Sequence, residues 1–409
     1  MALMVLALVP ATSMAEADKP KLTVWVYGWE TDYLEFHQEM AAKYDKAEIE
    51  LVPVTYDVYN QKIQATLAGG DTPDIAMIDA GVLTTQLADK GALLALDEYL
   101  DVPALKDKFV QGAWDSLVWQ DKLYGLRITS NNLALFYNKA MFDAKGVAYP
   151  TNEWTWDDLK TAAAELTDKD NGVYGIGLPV FENGESKVWN WMTFLWQAGG
   201  QYLTEDRTKA AFNTEQGVKA LSFWKELVTS GVCPLEAAGA GVNRFTGEQV
   251  AMTVDGTWSL RGFMEDPDFA AKVGVAYLPK DVEHATNIGG EGFVAFAGTE
   301  YPQAAAEYLQ YLTTDKEFVE GFYKAWITVP CLIEYGNFYT DAEVPYLEQL
   351  NVFINQAADA GHSRQFTPVW TAMSDAVSLE IEECLFNDKA PEDAMADAAA
   401  AVDKLLAGE

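Results

Sequence analysis

"KLTVWVYGWETDYLEFHQEMAAKYDKAEIELVPVTY", residues 21–56, decides the fold class. The run 21–27 is β-branched and aromatic and stops at Gly28, which is how a buried strand reads. In the next stretch Tyr33, Phe36, His37, Met40, Ala41 and Tyr44 recur at i, i+3, i+4, i+7, i+8 and i+11, one face of a helix. "IELVPVTY" then reads as a second strand. Working outward, "DVYNQKIQATLAGG" is a helix ended by its glycines, "TPDIAMIDAG" a third strand, and "VLTTQLADKGALLALDEYL" helical again. Strands alternating with helices predict a parallel sheet with helices on both faces.

The pattern restarts further on. "LALFYNKAMF" (133–142) runs from strand into helix, and "TWDDLKTAAAEL" opens on Thr155 as N-cap with acids in its first turn. "YGIGLPV", "VAMTVDG", "VGVAYLP" and "GGEGFVAFAG" read as further strands between helical runs. The last helix, "APEDAMADAAAAVDKLLAG", has Pro391 in its first turn and Gly408 past its end. With 409 residues to place, the chain divides into two α/β lobes. Ligands are then expected where strand carboxyl ends meet the gap between lobes.

Composition limits the function. The formal charge of −34 repels nucleic acid and anionic lipid, so neither is an expected partner. The apolar run Ala2–Val9 followed by "SMA" reads as a short signal peptide over 1–15, too short to span a bilayer, which implies export to a bacterial periplasm. No Cys follows that run, so a lipid anchor is not expected. Cys233, Cys331 and Cys384 match no metal spacing, and both one disulfide and three thiols remain open. The three His are scattered, which leaves no basis for a metal or other cofactor. Thirteen Trp exceed what a core requires.

Four stretches, "LAGGDTPDIAMIDAG", "YGLRITSNNLALFYNKAMF", "GEQVAMTVDGTWSL" and "GGEGFVAFAGTEYPQAAAEYLQYLTTD", occur in the order and spacing of the extracellular solute-binding proteins of bacterial ABC transporters. The chain resembles their carbohydrate-binding, maltose-binding-protein-like group over roughly residues 20 to 405. The resemblance implies a two-lobed periplasmic-binding-protein-like fold of type II, each lobe a mixed, mostly parallel sheet flanked by helices. It implies crossings near Thr129–Asn132, Asn287–Gly289 and Glu334–Phe338, hence lobes of 16–130 plus 290–335 and of 131–289 plus 336–409. It further implies a monomer that closes on a sugar and is recognised by the membrane subunits of an ABC permease.

Aromatic planes suit the C–H faces of a neutral sugar; carboxylates, amides and Arg suit its hydroxyls. Trp258 follows Asp255-Gly256, the end of a strand, and the resemblance makes it a stacking platform. It also points to Trp370 in "RQFTPVWTAMSDAV", and to Trp189 or Trp191 in "SKVWNWMTFLWQ", with Trp196 assigned to the core. Trp29, Glu30 and Asp32 occupy the first strand-to-helix turn. Asp79 ends the third strand. Asn131 and Asn132 lie at the first crossing, Glu291 beside the second, and Arg364 and Arg127 are the cations in motif positions. Asp74 is expected to cap or turn, and His37 to be a satisfied core histidine.

A neutral di- or oligosaccharide follows as the expected ligand, since several Trp platforms imply several rings. A polyol, a monosaccharide or a cation such as a polyamine suits the same clamp. A glycoside hydrolase is the alternative of another class, but it needs two carboxylates at a set separation, and no stretch demands them.

Overall fold

A computed structural model describes residues 19–28, 31–180, 184–234, 240–340 and 346–408. Within them the strands are β1 (Lys21–Tyr27), β2 (Glu48–Val54), β3 (Ile75–Asp79), β4 (Val118–Trp119), β5 (Lys122–Leu123), β6 (Gly125–Arg127), β7 (Leu133–Asn138), β8 (Tyr174–Gly177), β9 (Val250–Gly256), β10 (Val273–Ala276), β11 (Thr286–Ile288), β12 (Glu291–Ala295) and β13 (Gly361–Ser363). Two sheets carry the architecture: one of five strands, β2-β1-β3-β12-β6, and one of four, β10-β7-β9-β8.

The opening stretch folds as its periodicity requires. β1 lies parallel between β2 and β3, with Trp25 opposite Val52 on one side and Ala76 on the other. Both its faces are covered, which is why it is nearly continuous in apolar residues. The helix Thr31–Lys43 packs inward with Tyr33, His37 and Met40. The helix Tyr56–Gly69 stops at Gly70, whose φ of 74° is left-handed backbone that glycine takes at little cost. The Thr155 cap is present as a capping box: its hydroxyl accepts from Asp158 N–H at 3.2 Å, and Asp158 accepts from Thr155 N–H at 2.8 Å. Pro391 opens the last helix, and Gly408 closes it at φ 78°.

Both sheets are mixed. β12 is antiparallel to β3 and to β6, and β7 is antiparallel to β10 and β9; β8 and β9 are parallel. Fewer pairings are parallel than strand–helix alternation implied. Strands such as β12 enter a sheet by crossing from the other one, and so escape the right-handed crossover that aligns consecutive strands.

Three chain segments run side by side between the sheets. Ile128 and Thr129 N–H groups donate to Glu291 O, Gly289 N–H donates to Asn131 O at 2.7 Å, and Ser130 N–H donates to Val329 O at 2.8 Å. The short parallel pair β11·β13 lies next to them. Arg127 ties the segments together through Thr129 O at 3.1 Å and Gly289 O, so this cation serves the backbone.

Asp74 is structural, accepting from Thr23 N–H at 2.8 Å and from the Thr299 hydroxyl. His37 is a core histidine but not a satisfied one. Both ring nitrogens lack a partner among the described residues, and burial holds its pKa down to about 3, so it stays neutral. The three cysteines are free thiols, each buried.

Candidate functional site

β9 ends at Asp255-Gly256, and the helix Thr257–Met264 begins at once. Asp255 accepts from the Gly256 N–H at 2.7 Å and from the Ser259 hydroxyl at 2.8 Å, which ties the strand end to the first turn of the helix. Trp258 is thereby carried clear of the core. It is 52% exposed, and among the described tryptophans it alone falls in the exposed class. Its ring meets that of Trp189, centroids 5.5 Å apart and planes inclined at 41°. Trp189 sits on the helix Gly184–Gln197, and its carbonyl accepts from Asn287 Nδ2 at 2.9 Å.

Polar groups continue from this pair and return to it. The Thr257 hydroxyl donates to Asn131 Oδ1 at 3.0 Å, and Asn131 Nδ2 donates to Glu291 at 3.1 Å. Glu291 also accepts from the Thr129 hydroxyl. It lies directly across the β3·β12 ladder from Asp79. Arg364 Nη2 stands 3.7 Å from Asp79, and Nη1 is bonded to Glu185. The Arg364 guanidinium lies 4.8 Å from the Phe366 ring centre and 5.9 Å from that of Trp189. The contacts thus close a circuit: Trp258, Thr257, Asn131, Glu291, Asp79, Arg364, Trp189. Asp79 and Glu291 come from the five-stranded sheet, Thr257 and Trp258 from the helix that follows β9, Trp189 from the helix Gly184–Gln197, and Asn131 and Arg364 from segments outside the two main sheets.

This circuit is rich in charge, and its carboxylates are half-buried. Burial pushes the Asp79 carboxyl up to about 6; Arg364 and Arg127 pull against that shift, while Glu185 and Glu291 add to it. Burial raises Glu291 as well, against its hydrogen bonds. Several polar atoms here have no partner among the described residues: Trp189 Nε1, Asn287 Oδ1, Asn132 Oδ1 and Arg364 Nε. Two surface hollows beside Tyr44, about 730 and 460 Å³, are lined by the end of the helix Thr31–Lys43, by β2 and by the helix Pro302–Thr314, and contain no member of the circuit. They hold none of this chemistry.

Of the residues expected at the site, Trp258, Trp189, Asp79, Asn131, Glu291 and Arg364 come together. Asn132 is fully buried on an isolated bridge to Ile288, under the circuit rather than on it. Two tryptophans belong to the core instead. Trp191 follows Trp189 by two helical positions, which turns it to the opposite face, where it is wholly buried edge-on to Phe212. Trp370 is 1% exposed between Tyr202 and Phe366, and its Nε1 donates to Glu185 at 2.6 Å. It orients the carboxylate that holds Arg364 and offers no face to a ligand. Trp196 is core as expected, stacked on His362. Trp29 and Glu30 lie outside the described residues, as does the side chain of Asp32.

Sequence reasoning missed Glu185. It accepts from Trp370 and from the Ser374 hydroxyl at 2.7 Å while pairing with Arg364. Its spacing was the available signal: it stands one helical turn before Trp189, on the same face.

The family model described as bacterial extracellular solute-binding protein matches residues 35–343. This chain belongs to that family. The solute-binding protein is 23% identical over 329 residues to the maltodextrin-binding protein of Bacillus subtilis, covering 76% of this chain and 73% of the relative. Among solved structures it is similar to the cyclic α-maltosyl-1,6-maltose binding protein of Arthrobacter globiformis, with TM-score 0.81, 29% identity, and 96% and 100% of the two chains covered. It is also similar to an ABC substrate-binding protein of Listeria monocytogenes in complex with cycloalternan, with TM-score 0.83, 25% identity, and 95% and 100% covered. The fold is the two-lobed α/β fold of sugar-binding solute receptors. Among the described residues no helix is long and apolar enough to cross a membrane.

Proposed function

We propose that this solute-binding protein takes up a neutral di- or oligosaccharide in the circuit between its two sheets and presents it to an ABC permease. The observation that carries the reading is the junction of an exposed indole, Trp258, with Trp189 and a ring of carboxylate, amide and guanidinium groups. Planes inclined at 41° cannot both lie flat on one sugar ring, which favours a ligand of at least two rings. The names of the relatives, for maltodextrin, a cyclic maltosyl sugar and cycloalternan, agree with that choice. We divide the lobes at 16–130 plus 290–335 and 131–289 plus 336–409, with closure about the three adjacent segments. Export by residues 1–15 to the periplasm, action as a monomer and the absence of hydrolysis complete the reading.

Binding energies are adequate. Micromolar affinity needs about 8 kcal/mol, within reach of one or two covered indole faces and several hydrogen bonds of about 1 kcal/mol each. A thermal-shift screen over neutral sugars, polyols and polyamines tests the reading. A ligand at about 100 times its Kd adds about 2.7 kcal/mol of stability. An oligosaccharide should raise the unfolding temperature and be recovered intact. A shift with polyamines alone, or release of monosaccharide, would replace this reading.

A further inference from the structure

Glycine at 256 is not there for its backbone. Its φ of −104° and ψ of −179° are extended and open to any residue. What excludes a side chain is Trp258: a Cβ at 256 would lie 2.1 Å from Cζ3, 2.2 Å from Cη2 and 2.4 Å from Cε3 of that indole. The six-membered ring therefore rests on the Gly256 backbone, one face covered by the chain, with Trp189 against it at 41° and half the residue open to solvent. Gly289 stands in the same relation to Trp189 more loosely, with a Cβ there 3.3 Å from Cζ2.

We propose that Gly256 is a positioning residue, a seat that fixes which face of Trp258 is offered to the ligand, with Gly289 a weaker seat for Trp189. This rests on the saccharide reading of the site for its effect on binding, but not for its effect on the ring. An alanine at 256 is compatible with the backbone and must displace the half-exposed indole, whose ring carbons are the three atoms nearest that Cβ. The indole then leaves its seat, and the platform is lost.

The test compares Gly256→Ala, Trp258→Ala and the double variant with the parent protein. The readouts are the Trp258 indole N–H resonance in the ligand-free protein, assigned by its loss in Trp258→Ala, and calorimetric affinity for the oligosaccharide giving the largest thermal shift. Gly256→Ala should move that resonance and weaken binding about tenfold or more with Trp258 present, but change affinity less than about twofold in the Trp258→Ala background. Gly289→Ala should weaken binding by a smaller factor. If Gly256→Ala folds only when Trp258 is also replaced, the contact is confirmed by that rescue. An unmoved resonance, equal losses in both backgrounds, or failure of both variants to fold would overturn the proposal. Absence of any sugar binding would overturn the saccharide reading while the resonance still decides the seat.

Discussion

Replacing Trp258 with alanine separates a ligand platform from a piece of the core. Half of this residue is exposed in the ligand-free structure. A tryptophan buries about 150–250 Å² when covered, so a sugar laid on the free face removes about 100 Å² from water, or about 2.5 kcal/mol at 25 cal/mol per Å². At 1.4 kcal/mol per tenfold, Trp258→Ala should therefore raise Kd about 60-fold. The empty fold loses the half of the residue already covered, up to about 2.5 kcal/mol on the same area scale. That compares with about 3–5 kcal/mol for deleting a fully buried tryptophan. Isothermal calorimetry with an oligosaccharide gives the first quantity and urea unfolding of the ligand-free protein the second. A loss of affinity under about threefold, or destabilisation of 3 kcal/mol or more, would refute the platform argument.

Other outcomes follow from the same structure. Trp370→Ala should cost the ligand-free protein about 3–5 kcal/mol in urea unfolding, because the indole is enclosed and its N–H holds Glu185; a change under about 1 kcal/mol would contradict its placement in the core. Asp79 has a folded-state pKa raised to about 6, so its ionised form opposes folding above that pH, and the opposition fades as pH falls toward the ordinary aspartate value near 4. Asp79→Asn should thus raise the urea midpoint at pH 7.5 and lose its advantage between about pH 6 and 4; a lower midpoint at pH 7.5 would mean that pairing with Arg364 outweighs burial. The three buried thiols should react with an aromatic disulfide reagent only after denaturation, and without prior reduction; fewer than three thiols would indicate a disulfide.

Much of the fold was legible because its signals are local. Alternating strand and helix periods, the Thr155 cap and the Pro391 and Gly408 ends each depend on a few neighbouring residues. Sheet order was not, since the pairing of Glu291 with Asp79 joins positions brought together only when the chain returns from the other sheet. At the site, the exposure of Trp258 was legible because a strand end fixes where the next side chain emerges. Trp370 was misassigned, and the choice between Trp189 and Trp191 stayed open, for one shared reason. Identity as tryptophan says nothing of which helix face meets Phe212 or Tyr202. Glu185 escaped notice because a first-turn acid is already explained by the helix dipole, although its actual partners are Arg364, Trp370 and Ser374.

A co-crystal structure with the oligosaccharide that stabilises the protein most tests the central claim directly. The account predicts a sugar ring flat on the free face of Trp258, with hydroxyls reaching Asp79, Glu291 or Arg364 and both sheets in contact with the ligand. A sugar bound elsewhere, such as the hollow beside Lys19 and Tyr44, with Trp258 still bare, would contradict it.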